Sequence, residues 1–423
     1  MLAGMRVALQ TFGCRLNQAE SDRMAADFVA AGCEIVPTSA VAEAVVIHGC
    51  AVTQVAAQES RQAARRVKRA AQAAGLPPPL VVLVGCVVEA DGRVPVVPDV
   101  DLLVAREDKE RLAALVLARL GVVAGDNPPA ARPRQARRTR ALLKVQDGCD
   151  FFCAYCIVPH TRGAPVSRPW QQVLDEARSL AQAGFAELVV TGCNIACYRD
   201  GGRGLVELLA AVAALPEVTR IRLGSIEPAT VEREIVDLMA GCDKLCRFLH
   251  LPLQSGDAAT LQRMGRRYTP AAYLEVVQTA LRRLPGVGLG TDLLVGFPGE
   301  TEAAFAATRQ VVASLPFSKL HVFPYSERPG TPAAALTEVV PSAVRKARAR
   351  ELTRLGEVQR QAFARQWVGR PVTVLLEGVD AAGVGQGWSG EYLACRVAGV
   401  AAAARGQLVP FTPVGVATGG VLV

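Results

Sequence analysis

The stretch 81-VVLVGC-86 is an unbroken apolar run closed by Gly and then Cys. Such a run is the pattern of a parallel strand buried on both faces, with its last residue emerging at the carboxyl end of a sheet. The same device closes 45-VVIHGC-50 and 6-RVALQTFGC-14, so Cys14, Cys50 and Cys86 each follow a Gly, at intervals of 36 residues. From residue 5 to about 120 these runs alternate with amphipathic, Ala-rich segments such as QAESDRMAADFVAAG and QESRQAARRVKRAAQAAG. A further short strand is expected near DLLVA and a helix over REDKERLAALVLARLG. Strand and helix in alternation imply a parallel α/β sheet, whose ligands bind beyond the carboxyl ends of the strands. The three thiols are expected at that edge.

A chain of 423 residues exceeds one ordinary core, so two or three domains are expected. There is no uninterrupted apolar stretch of about 18 residues to cross a bilayer. MLAGMRVALQTF carries no secretory signal pattern. A cytoplasmic enzyme with no membrane partner is therefore expected. Twelve Cys in that setting do not read as a disulfide framework, because the compartment keeps thiols reduced; those that cluster read as metal or cluster ligands. The net charge of +8 tilts the partner towards a polyanion such as nucleic acid.

Residues 1–122 thus form an amino-terminal parallel-sheet domain. GDNPPAARPRQARRTR has Pro, Gly and Arg without apolar period, and a linker is expected over 123–138. Arg132, Arg134, Arg137, Arg138 and Arg140 there read as a solvated tether or as RNA-phosphate contacts. A second α/β run covers 139–365, with six β-runs from ALLKVQDGC to SKLHVFPYS. This predicts an open, partial (βα)6 TIM-like barrel with its chemistry at the carboxyl ends of the strands. The basic helix SAVRKARARELTRLGEVQRQAFARQWVG leads to residues 366–423, whose short strands and Gly turns predict a small OB-like β-barrel, a fold that commonly holds nucleic acid.

The chemistry rests on 147-DGCDFFCAYCIVPHTRG-163, where Cys149, Cys153 and Cys156 are spaced CxxxCxxC. Three thiolates so placed bind three irons of a cubane and leave the fourth open, whereas a closed structural site takes a fourth protein ligand. The competing reading is a zinc site completed by His160. Against it stand the short distance in sequence from the thiols to His160 and the place of the loop at a barrel mouth. With Tyr155 before its last Cys, the loop resembles that of the radical S-adenosylmethionine enzymes. The resemblance implies that the methionyl amine and carboxylate chelate the open iron, and that an electron cleaves the sulfonium to a 5′-deoxyadenosyl radical. The cofactor carries the difficult chemistry and the protein positions it. The resemblance also implies cofactor-binding roles for Tyr155, Gly192, Asn194, Ser225, Glu227, Gln254, Asp292 and Gly296. Read alone, each is a turn glycine or a surface polar group.

Cys14, Cys50 and Cys86, together with this core and the terminal barrel, resemble the methylthiotransferases over nearly the whole chain. That resemblance implies an auxiliary 4Fe–4S cluster on the amino-terminal thiols, a second 4Fe–4S cluster on Cys149, Cys153 and Cys156, and an RNA-gripping TRAM domain at the carboxyl end. Replacing a C–H bond by C–S–CH₃ then requires both clusters to face one pocket, with reacting atoms about 3 to 3.5 Å apart at transfer. An electron donor and a sulfur source are implied partners. Cys33 and Cys395 read as core residues, and Cys193, Cys197, Cys242 and Cys246 match no family role. TGCNIACY and RLGSIEP depart from the family's usual residues.

TFGCRLNQAESD, HLPLQSGDAATLQRMGRRYT and LHVFPYSERPGTPAA resemble the branch that acts on N6-threonylcarbamoyladenosine at tRNA position 37. Other branches act on the isopentenyl nucleoside at that position or on an aspartate of a ribosomal protein, and a non-catalytic RNA-binding zinc protein is the alternative outside the family. An anticodon stem-loop suits such a site, because a single-stranded loop can splay out a base. Arg61, Arg65, Arg66, Lys68 and Arg69 read as a solvated helix face or as phosphate contacts. Arg162 and Arg168 read as substrate or cofactor contacts, or as ion-paired groups.

Overall fold

The computed structural model describes residues 4–89, 97–122, 138–231 and 233–423, so the expected linker lies outside them except for Arg138. The chain forms two compact units. One comprises Met1–Gln135, Asp147–Ala164 and Ser326–Ala334, and the other Ala136–Gln146, Pro165–Tyr325 and Ala335–Val423. The CxxxCxxC loop thus groups with the amino-terminal residues, although the sequence places it within 139–365.

In the first unit, β1 (Arg6–Thr11), β2 (Glu34–Val36), β3 (Ala44–Gly49), β4 (Leu80–Gly85) and β5 (Leu102–Val104) form a wholly parallel sheet ordered β2-β1-β3-β4-β5. Its central strands β3 and β4 are almost wholly apolar and buried because both faces are covered. Val7, Val46, Val82 and Val84 pack on Met24 and Phe28 of α1 (Arg15–Ala30) and on Leu112 and Val116. The alternate residues Ala8, Val45, Ile47, Val81 and Leu83 pack on Ala57, Ala63 and Ala64 of α2 (Gln54–Ala73). Period-two alternation thus divides each strand between two cores. α3 (Cys86–Glu89) follows β4 directly, and α4 (Leu112–Arg119) closes this part of the chain. Cys33 lies in the first of these cores, as its sequence context suggests.

The second unit opens with β6 (Arg140–Lys144); the two-residue strand β7 (Gln146–Asp147) ends at the first residue that returns to the first unit, and β8 (Val166–Ser167) belongs to the second. β9 (Glu187–Thr191) and β10 (Arg220–Leu223) pair in parallel with β6 in the order β10-β9-β6. β11 (Phe248–His250), β12 (Gly288–Val295) and β13 (Phe317–Pro324) form a second parallel group. Parallel bridges Ile221 to Leu245 and Ser225 to His250 join the groups, so six strands run side by side in chain order. This is the open, partial barrel the sequence predicts. Leu143, Val190, Leu223, Leu249 and Leu293 belong to its core. A helix over Ser342–Arg365 leads to β14 (Val372–Val379), β15 (Gly385–Ser389), β16 (Ala394–Val397), β17 (Leu408–Phe411), β18 (Val416–Ala417) and β19 (Val421–Leu422). These form one mostly antiparallel sheet, ordered β17-β14-β15-β16-β19-β18, over a core that includes Cys395.

At the amino-terminal ends of the barrel strands, Glu187 is fully buried between Arg220 and Arg222. Those arginines also donate to the carbonyls of Thr373 (3.0 Å), Trp388 (3.2 Å), Ser389 (2.8 Å) and Gly390 (3.1 Å). One carboxylate therefore holds two guanidiniums that tie the barrel base to the last sheet. Among the described residues, no helix is long and apolar enough to cross a membrane.

Candidate cluster centres and cofactor site

The parallel register sets Gly49 opposite Gly85, and the Phe12 N–H donates to the His48 carbonyl at 2.9 Å. The turns that carry Cys14, Cys50 and Cys86 therefore sit at one edge, above three adjacent strands. Gly13 has φ +93°, and a Cβ added there would lie 2.4 Å from Cys50 Cβ and 2.5 Å from its sulfur. Only glycine combines that backbone with so close an approach. Cys50 and Cys86 are buried, and Cys14 is exposed. Burial pushes the Cys50 thiol up to about 11, aided by Cys14 and Cys86 and opposed by the Val52 N–H. A cationic centre offsets that penalty for the Cys50 thiolate, as the irons of a cluster do for their thiolate ligands. Among the described residues, no three Cys, His, Asp or Glu side chains converge on a single ion. A cubane takes its thiolates on three different irons and so needs a wider triangle than one zinc ion does. The His160 ring instead packs edge-on to Phe152 at 6.0 Å.

In the CxxxCxxC loop the Cys149 N–H donates to the Gly163 carbonyl at 3.0 Å, and the Cys156 N–H to the Cys153 carbonyl at 2.9 Å. Gly148, at φ +71°, lets this closure form, since a Cβ there would meet the Ala164 carbonyl oxygen at 2.0 Å. Phe152 adopts φ +47° and is exposed, while Cys153 is buried beside it in sequence. Such a backbone in a bulky residue marks a constrained loop. The loop continues into α5 (Val158–Arg162), and Ile157 packs against Ala51 and Cys86. Tyr155 is half-buried.

Arg162 is buried within the first unit. Its guanidinium donates to Asn17 Oδ1 (2.6 Å), Glu20 Oε1 (3.0 Å) and Asp147 Oδ1 (2.8 Å). Burial opposes its charge, but Cys86, Glu20 and Asp147 overcome that and hold it protonated. Glu20 Oε2 also accepts from Lys109 Nζ at 3.1 Å. His48 Nε2 lies 3.4 Å from the same oxygen, yet burial lowers its pKa, so the imidazole is neutral there. Arg168 donates to the Lys144 carbonyl at 2.8 Å and pairs with Glu176. Both guanidiniums are thus taken up by partners within their own units, which opposes the substrate contact considered for them. Asn17, Glu20 and Lys109 were not singled out in the sequence. The signal for the first two is their spacing of three on the helix that begins directly after Cys14. On helix α2, Lys68 pairs with Asp101 at 2.7 Å and Arg65 with Asp99 at 3.8 Å.

In the second unit the cofactor candidates lie at the carboxyl ends of neighbouring strands. Gly192 and Asn194 follow β9, Ser225 and Glu227 follow β10, Gln254 follows β11 and Gly296 follows β12. Asp292 is the exception. It lies within β12, accepts from His250 Nε2 at 3.1 Å, and is held below its ordinary range by that bond and by His321 and Lys319, against the effect of burial. Gln254 adopts φ +63°, an outlier for a non-glycine residue. The Asn194 N–H donates to Gln146 Oε1 at 2.9 Å, while Asn194 Oδ1 is buried without a partner. Glu227 pairs with Arg266, yet its Oε1 is likewise buried and unmet, and burial raises its pKa. Two unsatisfied acceptors on adjacent strand ends fit a ligand that brings donors, as the ammonium and ribose hydroxyls of S-adenosylmethionine do. Gly296, at φ +70°, faces Arg345, whose Cγ would lie 2.0 Å from an added Cβ.

The α/β barrel with a CxxxCxxC loop defines a radical S-adenosylmethionine enzyme, and residues 143–312 match the family model described as the radical SAM superfamily. Residues 6–104 match the model described as Uncharacterized protein family UPF0004. The tRNA-2-methylthio-N(6)-dimethylallyladenosine synthase of Roseobacter denitrificans is 35% identical over 395 residues, which cover 89% of each protein. The threonylcarbamoyladenosine tRNA methylthiotransferase MtaB of Bacillus subtilis is 33% identical over 386 residues, or 88% of this chain and 84% of that protein. The solved radical S-adenosylmethionine methyltransferase TsrM from Kitasatospora setae, with cobalamin and a 4Fe–4S cluster bound, shares the fold at a TM-score of 0.59 and 15% identity, over 79% of this chain and 77% of that one. The chain belongs to the radical S-adenosylmethionine methylthiotransferase family, whose cofactors are two 4Fe–4S clusters and S-adenosylmethionine.

Proposed function

We propose that this chain adds a 2-methylthio group to N6-threonylcarbamoyladenosine at position 37 of tRNA. The observation that carries the reading is that both cysteine trios belong to one compact unit, with Ile157 of the CxxxCxxC segment packed on Cys86. Cys14, Cys50 and Cys86 are the ligands of the auxiliary cluster, and Cys149, Cys153 and Cys156 those of the cluster that meets S-adenosylmethionine. When bound, these groups supply a methylated sulfur and the radical that opens the adenine C2–H bond. The chain's own residues do the rest. The Gly-Cys turns hold three thiols at one sheet edge, and within the second unit Asn194 and Glu227 present buried acceptors at adjacent strand ends, suited to a ligand's donors. Residues 366–423, the proposed TRAM domain, bind the anticodon stem-loop, a role supported by the tRNA substrates in the relatives' names. An electron donor and a sulfur source complete the turnover, and a cytoplasmic location suits such a substrate.

Whole-chain identity does not choose the nucleoside, at 35% to one branch and 33% to the other. The threonylcarbamoyl reading rests on the segments TFGCRLNQAESD, HLPLQSGDAATLQRMGRRYT and LHVFPYSERPGTPAA. Mass spectrometry of tRNA nucleosides from a deletion strain tests it. The expected result is loss of the methylthio group from the threonylcarbamoyl nucleoside, restored by the parent gene. Loss from the isopentenyl nucleoside instead would move the assignment to that branch.

Gly13→Ala tests the auxiliary site. Holding a non-glycine residue in a sparsely populated conformation costs about 1 to 3 kcal/mol, and here the new methyl also collides with Cys50. Anaerobic reconstitution is expected to give about eight irons per parent chain and a count nearer four in the variant. Full iron loading in Gly13→Ala would show that the turn does not set the site.

A further inference from the structure

The buried cluster around Arg162 joins the two cysteine-bearing segments in a way the ligand assignment does not require. Asn17 and Glu20 are three residues apart on α1 and so project from one side of it. Asn17 Nδ2 donates to the carbonyls of Phe12 (3.0 Å) and Gly49 (3.1 Å), which sit at the turns carrying Cys14 and Cys50. Asn17 Oδ1 then accepts Arg162 Nη2 at 2.6 Å, from a residue 145 positions away. The second arm of Arg162 is fixed by Glu20 and Asp147. Asn17 has no exposed surface, and Glu20 and Arg162 are each 6% exposed, so none of these groups is satisfied by water. A fork of this kind fixes orientation as well as charge.

We propose that Arg162 is a positioning residue for the auxiliary cluster: through Asn17 it clamps the turns of Cys14 and Cys50, and its guanidinium is the fixed positive charge facing those thiolates and Cys86. The proposal rests on the ligand assignment above. A fixed cation beside a cluster favours the reduced, more negative state and so raises its reduction potential, while a carboxylate lowers it. Arg162 and Glu20, bonded to each other, must therefore act with opposite sign. A purely structural pair would not.

The test uses the full chain carrying Cys153→Ala, so that the auxiliary cluster is read alone, with anaerobic iron counting and a redox titration followed by electron paramagnetic resonance. Arg162→Gln is expected to lower the midpoint enough to cut the reduced fraction about tenfold at fixed potential, about 59 mV for one electron. Glu20→Gln is expected to move it upward, and Arg162→Lys, which keeps the charge, to return it towards the parent value. If Arg162→Gln sheds its iron while Arg162→Lys keeps about four, the clamp is supported, because one cation has replaced the other at the same position. Unchanged midpoints with iron retained, or shifts of the same sign from Arg162→Gln and Glu20→Gln, overturn the proposal. A Cys153→Ala parent that holds no cluster overturns the ligand assignment itself, a result distinct from unchanged midpoints.

Discussion

Cys153→Ala is expected to reduce 5′-deoxyadenosine formation to background, whereas Cys50→Ala keeps measurable formation and loses all sulfur insertion. The two thiols belong to different trios. Cys153 is the buried middle thiol of a loop closed by bonds from Cys149 to Gly163 and from Cys156 to Cys153. Removing its sulfur leaves two thiolates for the cluster proposed there, which has three protein ligands to begin with. Cys50 follows β3, and Ala fits that buried position without disturbing those closures. Each variant should retain about four irons, on different residues. Chromatography with mass detection of 5′-deoxyadenosine and of tRNA nucleosides, beside an iron count, separates the activities. Equal loss of both in Cys50→Ala, with the first cluster intact, would contradict this division of labour.

The strand-and-helix order was legible because the physics is local. Valine runs with no polar alternation required helices on both faces, and the structure shows them; the close approach of Gly13 to Cys50 is a feature the sequence did not disclose. The six barrel strands were legible for the same reason. Arg162 was not. A basic residue near a cysteine loop reads equally as substrate contact or ion pair, and its partners Asn17 and Glu20 are 145 and 142 positions away, on another element. The grouping of the CxxxCxxC loop with the amino-terminal unit also involves contacts distant in sequence, such as Ile157 on Cys86. Likewise RIRL, at 220–223, showed two arginines on one side of a strand, but no pattern disclosed that Glu187, 33 and 35 positions earlier, sits between them.

That carboxylate should dominate the stability of the second unit. Glu187 has no exposed surface and receives Arg220 Nε at 2.6 Å and Arg222 Nε at 2.8 Å, while the same arginines reach the carbonyls of the last sheet. Glu187→Gln leaves two buried guanidiniums with no full counter-charge, and breaking a buried pair from one side costs about 3 to 5 kcal/mol. A lower urea midpoint by circular dichroism is the expected result. The pH dependence has a definite sign. Burial alone would raise the Glu187 pKa, but Arg222 and Arg220 overcome it and hold the group down to about 2, against 4.5 in the unfolded chain. Its contribution is therefore complete above 4.5 and is lost as pH falls towards 2. The stability gap between parent and Glu187→Gln should narrow through that window, and a gap that stays constant from neutral pH down to 2 would show that the ionised carboxylate does not hold the barrel base to the sheet.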